Sequence, residues 1–334
     1  MVALLFIILN MIGYCQNSDA GKVSSTFADY DGNMLTLKGK VQLEHPMGTM
    51  QSEEAFLEKE EEGKEFPFSL IHLHENILLS LKNKASLKGD HADLDFHALK
   101  GTIASLKEKN VEYTDLNFQL KSERIEFEMV KNGEIFSITE LRAYPHVGQK
   151  CVVTKERDQV EADLITAEVG SSTLFLDHPQ GIVNQILFSS HKMVWNNNAN
   201  TLTLEEEVDL KEESAGSLKA DRAFIQCTEQ KPILFTFNGN IRLCSTNGKK
   251  RYATGDTLIY FPTEKNFHIK ADPGKKVLFF DQEQSLYISA NEIKIHNMDN
   301  VKGVGNVRLS FNPEESTVFK TFFPDFQEEK DATP

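Results

Sequence analysis

The sequence predicts an all-β protein built from tandem repeats. Three features support this: strict alternation of apolar and polar residues, frequent turn signals, and two short motifs that recur in order. The alternation is clearest in YDGNMLTLKGKVQLEH, residues 30–45, where Leu35, Leu37, Val41 and Leu43 share one face of an extended chain. Polar side chains occupy the other face, which is typical of a strand with one side on a core and one in water.

The same alternation returns along the chain. It is found in LIHLHENILLSL (70–81), NTLTLEEEVDL (200–210), LFTFNGNIRL (234–243) and VKGVGNVRLSF (301–311). Turn signals such as Asp31-Gly32 and Asp272-Pro273-Gly274 separate segments of this kind. Short strands joined by such turns predict an antiparallel sandwich or an open stacked barrel.

Two motifs recur with one uneven period. The first is an apolar residue two positions after a glycine-like position, at spacings of 26 to 41 residues: Val41, Ile77, Ile103, Leu141, Ile182, Val208, Ile241, Val277 and Val307. The second is a polar residue that opens a short alternating strand, at Glu53, Asp90, Glu123, Asp163, His191, Asp221, Asp256 and Asn291. A shared period predicts repeats that bury their apolar faces by stacking on one another.

Glycines interrupt the apolar face at Gly39, Gly239 and Gly305, where a packed core would hold a side chain. Two interpretations are open. The glycines lower the inner wall and leave width for a ligand, or they mark ordinary β-bulges where the sheet coils.

Composition limits the class of partner. The chain has 334 residues, 40% hydrophobic and 26% charged, with a formal net charge of −14. This is a globular composition long enough for one long β domain or two domains. The acidic balance argues against a nucleic-acid partner, because neutralising phosphates takes clustered Lys and Arg.

The first twenty residues predict export. Val2 to Ile12 is an apolar run too short to span a bilayer and suited to a signal peptide. Cleavage after Ala20, lipid attachment at Cys15, and a short uncleaved membrane anchor all remain open. Export would permit a disulfide, and Cys227 and Cys244 are the candidate pair.

We find no motif for catalysis, and the sequence predicts a protein that is not an enzyme and needs no cofactor. It lacks a phosphate-binding loop of the G-x-x-x-x-G-K-[ST] type and a G-x-S-x-G nucleophile elbow. His72 and His74 flank Leu73 and share a face, as a metal site would need, but no ligand set completes them. We therefore predict no metal site.

The two motifs together resemble the LptA/OstA-like family of lipopolysaccharide-transport proteins. The segments that carry the resemblance are FSSHKMVWNNNANTLTLEEEVDL, GSLKADRAFI, FTFNGNIRL and YATGDTLIYFPTEKNFHIKADPGKKVLFF. In the last of these, Asp256 to Tyr260, then Phe267 and Ile269, then Gly274 and Val277 follow the family order. The match is clear over about residues 24–58 and 186–311.

The resemblance implies an open, twisted antiparallel β-jellyroll (a β-taco) of tandem OstA-like repeats, in the periplasm. Its apolar groove would hold the acyl chains of lipid A, the lipid part of lipopolysaccharide, on their way to the outer membrane. The implied partners are other β-jellyroll proteins of the pathway, joined through edge strands, an inner-membrane transporter and an outer-membrane barrel. A tethered LptC-like protein or a fused variant would have the same fold. The predicted groove residues are Leu35, Leu37, Val41, Leu43, Leu202, Leu204, Val208, Phe235, Phe237, Ile241, Leu258, Ile269, Val277 and Val307.

The predicted organisation has four parts: a signal or anchor over 1–20, β repeats over 21–150, continuous repeats over 151–312, and a tail over 313–334. The predicted edge strands lie around Asn33–Glu44 and Asn306–Phe311. The aromatic tail would plug one end of the stack or bind a partner, through Phe319, Phe322, Phe323 and Phe326. The alternative function is an exported β-solenoid scaffold or adhesin with a dry core and no lipid ligand.

Overall fold

The described part of this chain consists mainly of β-strands, with helical backbone at Phe319 and Phe322. The computed structural model describes residues 22–59, 68–106, 109–133, 135–183, 185–212, 216–229, 231–245, 250–297, 300–311, 319, 322 and 323. Predictions for residues 1–20, including Cys15 and Ala20, lie outside these residues, as does Phe326. No helix in the described part is long and apolar enough to span a membrane.

The described residues contain twenty-eight strands. In the first half these are β1 (Val23–Ser24), β2 (Phe27–Tyr30), β3 (Met34–His45), β4 (Gly48–Lys59), β5 (Phe68–Leu81), β6 (Ser86–Asp95), β7 (Lys100–Ala104), β8 (Val111–Thr114), β9 (Gln119–Ser122), β10 (Arg124–Asn132), β11 (Ile135–Tyr144), β12 (Cys151–Lys155), β13 (Asp158–Ala162) and β14 (Leu164–Glu168). The second half contains β15 (Thr173–Asp177), β16 (Gln180–Val183), β17 (Ile186–Ser189), β18 (Lys192–Asn196), β19 (Thr201–Glu212), β20 (Gly216–Thr228), β21 (Lys231–Ser245), β22 (Arg251–Phe261), β23 (Asn266–Lys270), β24 (Val277–Asp281), β25 (Leu286–Ala290), β26 (Glu292–His296), β27 (Asn300–Val304) and β28 (Arg308–Ser310).

The chain forms two compact units. Unit 1 comprises Met1–Glu156 with Asp163–Ser172, and unit 2 comprises Arg157–Ala162 with Thr173–Pro334. Strand pairing within each unit is antiparallel throughout the described residues. The prediction of an all-β antiparallel, jellyroll-like fold is therefore confirmed.

Unit 1 is a block of long strands that divides into two ladders. Strands β3, β4, β5 and β6 pair in succession. Beyond β6 the pairing divides, because residues 86–88 pair with β8 and residues 91–95 pair with β7. One ladder continues as β7–β10–β11–β14 and the other as β8–β9–β12. Their buried apolar faces form the core of this unit.

Unit 2 repeats this plan and divides at both sides of its long strands. Strands β19, β20, β21 and β22 pair in succession. Strand β19 pairs with β18 through residues 201–205 and with β17 through residues 209–211. Strand β22 pairs with β24 through residues 251–254 and with β23 through residues 257–261. The two halves of each long strand thus belong to different ladders of the same unit.

Two consecutive residues interrupt the regular pairing between the two halves of four long strands, β3, β5, β19 and β21. Both residues have positive φ, and the register with the next strand shifts at the same point. The pairs are Gly39-Lys40, Glu75-Asn76, Glu206-Glu207 and Gly239-Asn240. The residue after each pair is at most 2% exposed: Val41, Ile77, Val208 and Ile241. At these four positions the first recurring motif is a β-bulge followed by a core residue, whereas Ile182 and Val307, at other positions of the motif, are 44% and 46% exposed.

The glycines belong to these bulges. Gly39 has φ +74° and Gly239 has φ +77°, a region that residues with a Cβ rarely adopt. A Cβ on Gly239 would lie 2.1 Å from an Asp221 carboxylate oxygen, and one on Gly39 would lie 3.0 Å from Thr26 Oγ1. Both positions are crowded, so of the two interpretations the bulge is correct and the widened inner wall is not.

The second motif holds the segments beside the bulges. Asp221 accepts hydrogen bonds from Asn240 Nδ2 at 2.8 and 3.1 Å. Asp256 accepts hydrogen bonds from the Asp272 amide at 2.8 Å and Lys275 Nζ at 2.7 Å. Burial raises the pKa of Asp256, but these hydrogen bonds outweigh it, and the net effect is a lowered pKa. Asp221 and Asp256 thus secure the bulge or turn that follows each of them along the chain.

The two predicted edge strands have different outcomes in the structure. The predicted N-terminal edge around Asn33–Glu44 is wrong, because β3 pairs with β4 on one side and with β1 and β2 on the other. The segment FADY of β2 lacks the apolar alternation on which strand prediction depends. At the other end, the only pairing of β28 among the described residues is with β25, as expected of an edge.

The predicted disulfide between Cys227 and Cys244 is absent. Cys227 lies opposite Pro232 and Cys244 opposite Ser217, so these two cysteines do not bond to each other.

Candidate functional site

An apolar cavity lies inside unit 2, between the ladders that diverge from β22. Its volume is about 320 Å³, near the lower end for ligand pockets. Its walls come from both halves of β22 and from the strands on either side of it. The lining residues are mainly apolar and aromatic: Ile186, Leu210, Leu218, Phe235, Phe237, Leu243, Tyr252, Ala253, Leu258, Tyr260, Phe267, Phe279 and Ile295.

Four aromatic rings form one wall of this cavity. Phe235 and Phe237 stack with ring centroids 6.0 Å apart, and Phe235 lies 5.7 Å from Tyr260. Tyr260 stacks on Phe267 at 4.2 Å, because the β22–β23 hairpin places them directly opposite. Adjacent rings of this kind present a broad apolar surface in fixed rotamers.

Charged and polar residues lie at the ends of the strands that line the cavity. The Arg251 Nε donates to Asp281 Oδ2 at 2.8 Å, and both side chains are almost completely buried. Lys211, Glu212, Ser217 and Ser245 complete this polar rim.

The phenol of Tyr260 is held in its neutral form. Burial raises the pKa of Tyr260, and the charge of Glu212 adds to the effect. A cavity with apolar walls and a polar rim suits a ligand that has a hydrocarbon part and a polar end.

The structure separates the predicted groove residues into three groups. Phe235, Phe237 and Leu258 line the cavity. Nine others are buried elsewhere: Leu37, Val41 and Leu43 in unit 1, and Leu202, Leu204, Val208, Ile241, Ile269 and Val277 in unit 2. Leu35 is half-buried, and Val307 is 46% exposed just before the edge strand β28.

Sequence reasoning missed the other aromatic residues of the site. Tyr260 and Phe267 flank the turn PTEK, so counting outward from that turn would have paired them. Phe279 and Tyr252 gave no comparable signal, because their strands carry large apolar residues on both faces.

A second, polar cavity of about 340 Å³ lies beside a bulge of unit 1, lined by Asn76, Asp90, Ser105, Lys109 and Glu112 among others. Asp90 accepts hydrogen bonds from the Leu106 amide at 3.0 Å and from Lys109 Nζ at 3.2 Å. These bonds give it the same structural role as the other residues of the second motif.

The histidines considered for a metal site lie on the polar face of unit 1. His72 Nδ1 is 2.6 Å from Asp93 Oδ1, and the rings of His74 and His91 are 4.7 Å apart. Within the described ranges, no group of three or more His, Cys, Asp or Glu side chains has the geometry to hold a metal ion.

The geometry defines an antiparallel β protein with a partly open apolar cavity. No family model matches the chain, and no curated protein matches it. Among solved structures it is similar to LptH from Pseudomonas aeruginosa, described as the LptA-homologous periplasmic component of the conserved lipopolysaccharide transport device. The identity is 10%, the match covers 38% of this chain and 95% of that one, and the TM-score is 0.33. The fold assignment rests on the strand pairings above.

Proposed function

We propose that this chain is a periplasmic lipid-binding protein that takes an acyl chain into the cavity of unit 2. The observation that carries the proposal is the cavity itself, with its aromatic wall and its polar rim. In a protein with no ligand to hold, side chains normally fill such a space, because interiors pack as densely as organic crystals.

The energetics fit capture of a hydrocarbon chain. Burying each CH₂ contributes about 0.8 kcal/mol, so a dozen carbons would contribute on the order of 10 kcal/mol before the costs of binding. The cavity volume suits one chain rather than several. A lipid with several acyl chains would therefore place one of them here.

We further propose that the lipid is lipopolysaccharide and that the chain works in its transport toward the outer membrane. The support is the ordered series of motifs along the sequence. The charge of −14 favours a mode in which the phosphorylated headgroup projects into water, where salt screens repulsion beyond about 10 Å. This role requires no catalysis by the chain itself.

The C-terminal edge of the sheet supports the proposal that partner proteins extend it by strand addition. Val307, Leu309 and Phe311 carry apolar side chains at the C-terminal edge and are 46%, 58% and 69% exposed. Leu309 lies opposite the buried Ile288, so its side chain extends the inner face of the sheet. Other β-jellyroll proteins, an inner-membrane transporter and an outer-membrane barrel are the proposed partners at such edges.

A scaffold with a dry core is the second candidate function, and the packing of unit 1 favours it. Leu73, Leu79 and Leu87, on neighbouring strands, are each 0% exposed. If unit 2 packed in the same way around a ligand-free interior, the chain would serve only as a rigid spacer.

Photocrosslinking separates the two functions. A benzophenone side chain at Phe237, inside the cavity, is expected to crosslink to lipopolysaccharide, whereas the same group at the exposed Phe175 is not. Lipid crosslinks of equal yield at both positions, or none at Phe237, would contradict the carrier function.

A further inference from the structure

The C-terminal aromatic residues pack on the outer face of unit 2. Phe319 is completely buried there, with ring centroids 5.7 Å from Phe280, 5.9 Å from Tyr287 and 6.5 Å from Tyr252. Phe323 lies 5.0 Å from Tyr252. We call Phe319, Phe322 and Phe323 the aromatic strap.

The strap is anchored by more than ring stacking. The Phe323 amide donates to the Phe319 carbonyl oxygen at 2.9 Å, which joins the two residues directly. The Arg242 guanidinium lies over the Phe322 ring at 5.7 Å, a cation–π contact. Each of the three phenylalanines of the strap therefore makes its own contact with unit 2.

The seat of the strap is the reverse side of the cavity wall. Tyr252 and Phe280 lie opposite each other on β22 and β24, and their neighbours Ala253 and Phe279 also lie opposite each other. Because side chains alternate across a strand, Ala253 and Phe279 face inward to the cavity while Tyr252 and Phe280 face outward to the strap. These two strands are thus covered on both faces, unlike a strand whose outer face meets water.

Tyr252 lies between the two sites. Its ring contacts the Phe319 and Phe323 rings on the outer face, and the residue also borders the cavity on the inner side of β22. The sequence predicted that the tail would plug an end of the stack or bind a partner. The described part of the tail instead packs against the outside of the wall formed by β22, β24 and β25.

We propose that the aromatic strap is a clamp that braces this wall of the cavity, and that its release widens the cavity so that an acyl chain can enter or leave. The inference rests on the proposed function, because it assigns a control element to the same cavity. Large aromatic side chains provide most of the contact area here, so removing Phe319 weakens the clamp more than any other single truncation in the strap.

The test is the exchange rate of a bound probe. A fluorescent dansyl fatty acid is loaded into the full chain, and its release is followed by stopped flow after dilution into excess unlabelled fatty acid. Phe319→Ala is expected to release the probe at least about tenfold faster than wild type, which corresponds to about 1.4 kcal/mol of barrier. The matched control Phe175→Ala, an exposed phenylalanine of the same unit, should release it at the wild-type rate.

Amide hydrogen exchange provides a readout that does not depend on a ligand. In Phe319→Ala, amides of β22, β24 and β25 should exchange faster, while those of β3, β4 and β5 should be unchanged. Wild-type exchange in all six strands, or release of the probe at the wild-type rate, would overturn the clamp. Failure of the wild-type protein to bind the probe would contradict the proposed function alone, because the exchange data would still report the clamp.

Discussion

At the scale of single residues, the bulge at Gly239 depends on a glycine and a neighbouring carboxylate as well as on the apolar residues around it. Gly239 combines a positive φ with a neighbouring carboxylate that leaves no room for a Cβ. Asp221 and Asp256 in turn hold the adjacent segments through hydrogen bonds. In this repeat, Gly239 makes the bulge and Asp221 fixes it.

Gly239→Ala should lower the free energy of unfolding by about 3 kcal/mol, because it adds both backbone strain and a clash with Asp221. Gly274→Ala is the matched control, since Gly274 has φ +87° with nothing within 4 Å of its added Cβ. Backbone strain alone should cost that variant about 1 kcal/mol. Urea unfolding measures both values, and equal losses would show that the contact with Asp221 has no effect.

Asp256 should make stability depend on acid. Its pKa in the folded chain lies below the ordinary value of 3.8, so its contribution is present above about pH 4 and disappears as the pH falls through the folded-state pKa. Asp256→Asn should therefore lose stability at neutral pH and show a smaller further loss on acidification. The measurement is the free energy of unfolding across that pH range, with the exposed Asp29→Asn as control. If both variants matched wild type, the predicted role of Asp256 would be contradicted.

At the scale of elements, the sequence predicts the strands well and the joints between them poorly. Alternation identified β3, β5, β19 and β21, because each has one apolar face along its whole length. It did not reveal that a two-residue step sends the halves of such strands into different ladders. Glu206-Glu207 shows why: nothing in two adjacent glutamates indicates positive φ, and the long-range pairing imposes it.

The candidate site shows the same limit. Phe235, Phe237 and Leu258 were predicted because they lie on alternating strands, and they line the cavity. Whether an inward residue lines a cavity or packs in a core depends on its partners across the unit, which alternation does not encode. Ile241 and Phe237 have the same pattern along β21, yet only Phe237 lines the cavity.

The edge strand β28 should govern association. Leu309→Lys places a charge on an apolar side chain that is 58% exposed, so the midpoint of thermal unfolding should stay unchanged. Association of the protein with itself or with a β-jellyroll partner should weaken by at least about tenfold in sedimentation velocity experiments. Wild-type association in this variant would exclude the β28 edge as the contact.

At the scale of the whole molecule, the net charge predicts how salt affects lipid binding. The acidic chain and an anionic headgroup repel each other, and the Debye length falls from about 10 Å at 0.1 M to about 3 Å at 1 M salt. Affinity for an acyl ligand should therefore hold or increase with salt. Equilibrium titrations over that range would contradict an apolar binding mode if affinity fell steeply, as it does for ligands held by ion pairs.

The central claim is that the cavity of unit 2 stays open for a hydrocarbon chain, and filling it is the most direct test. Ala253→Leu adds a larger side chain to the cavity wall, with the exposed Ala28→Leu as control. We predict that Ala253→Leu binds a fluorescent fatty acid at least about tenfold more weakly than wild type, with an unchanged midpoint of urea unfolding, because the new atoms occupy empty space. Binding at wild-type affinity by Ala253→Leu would contradict the account.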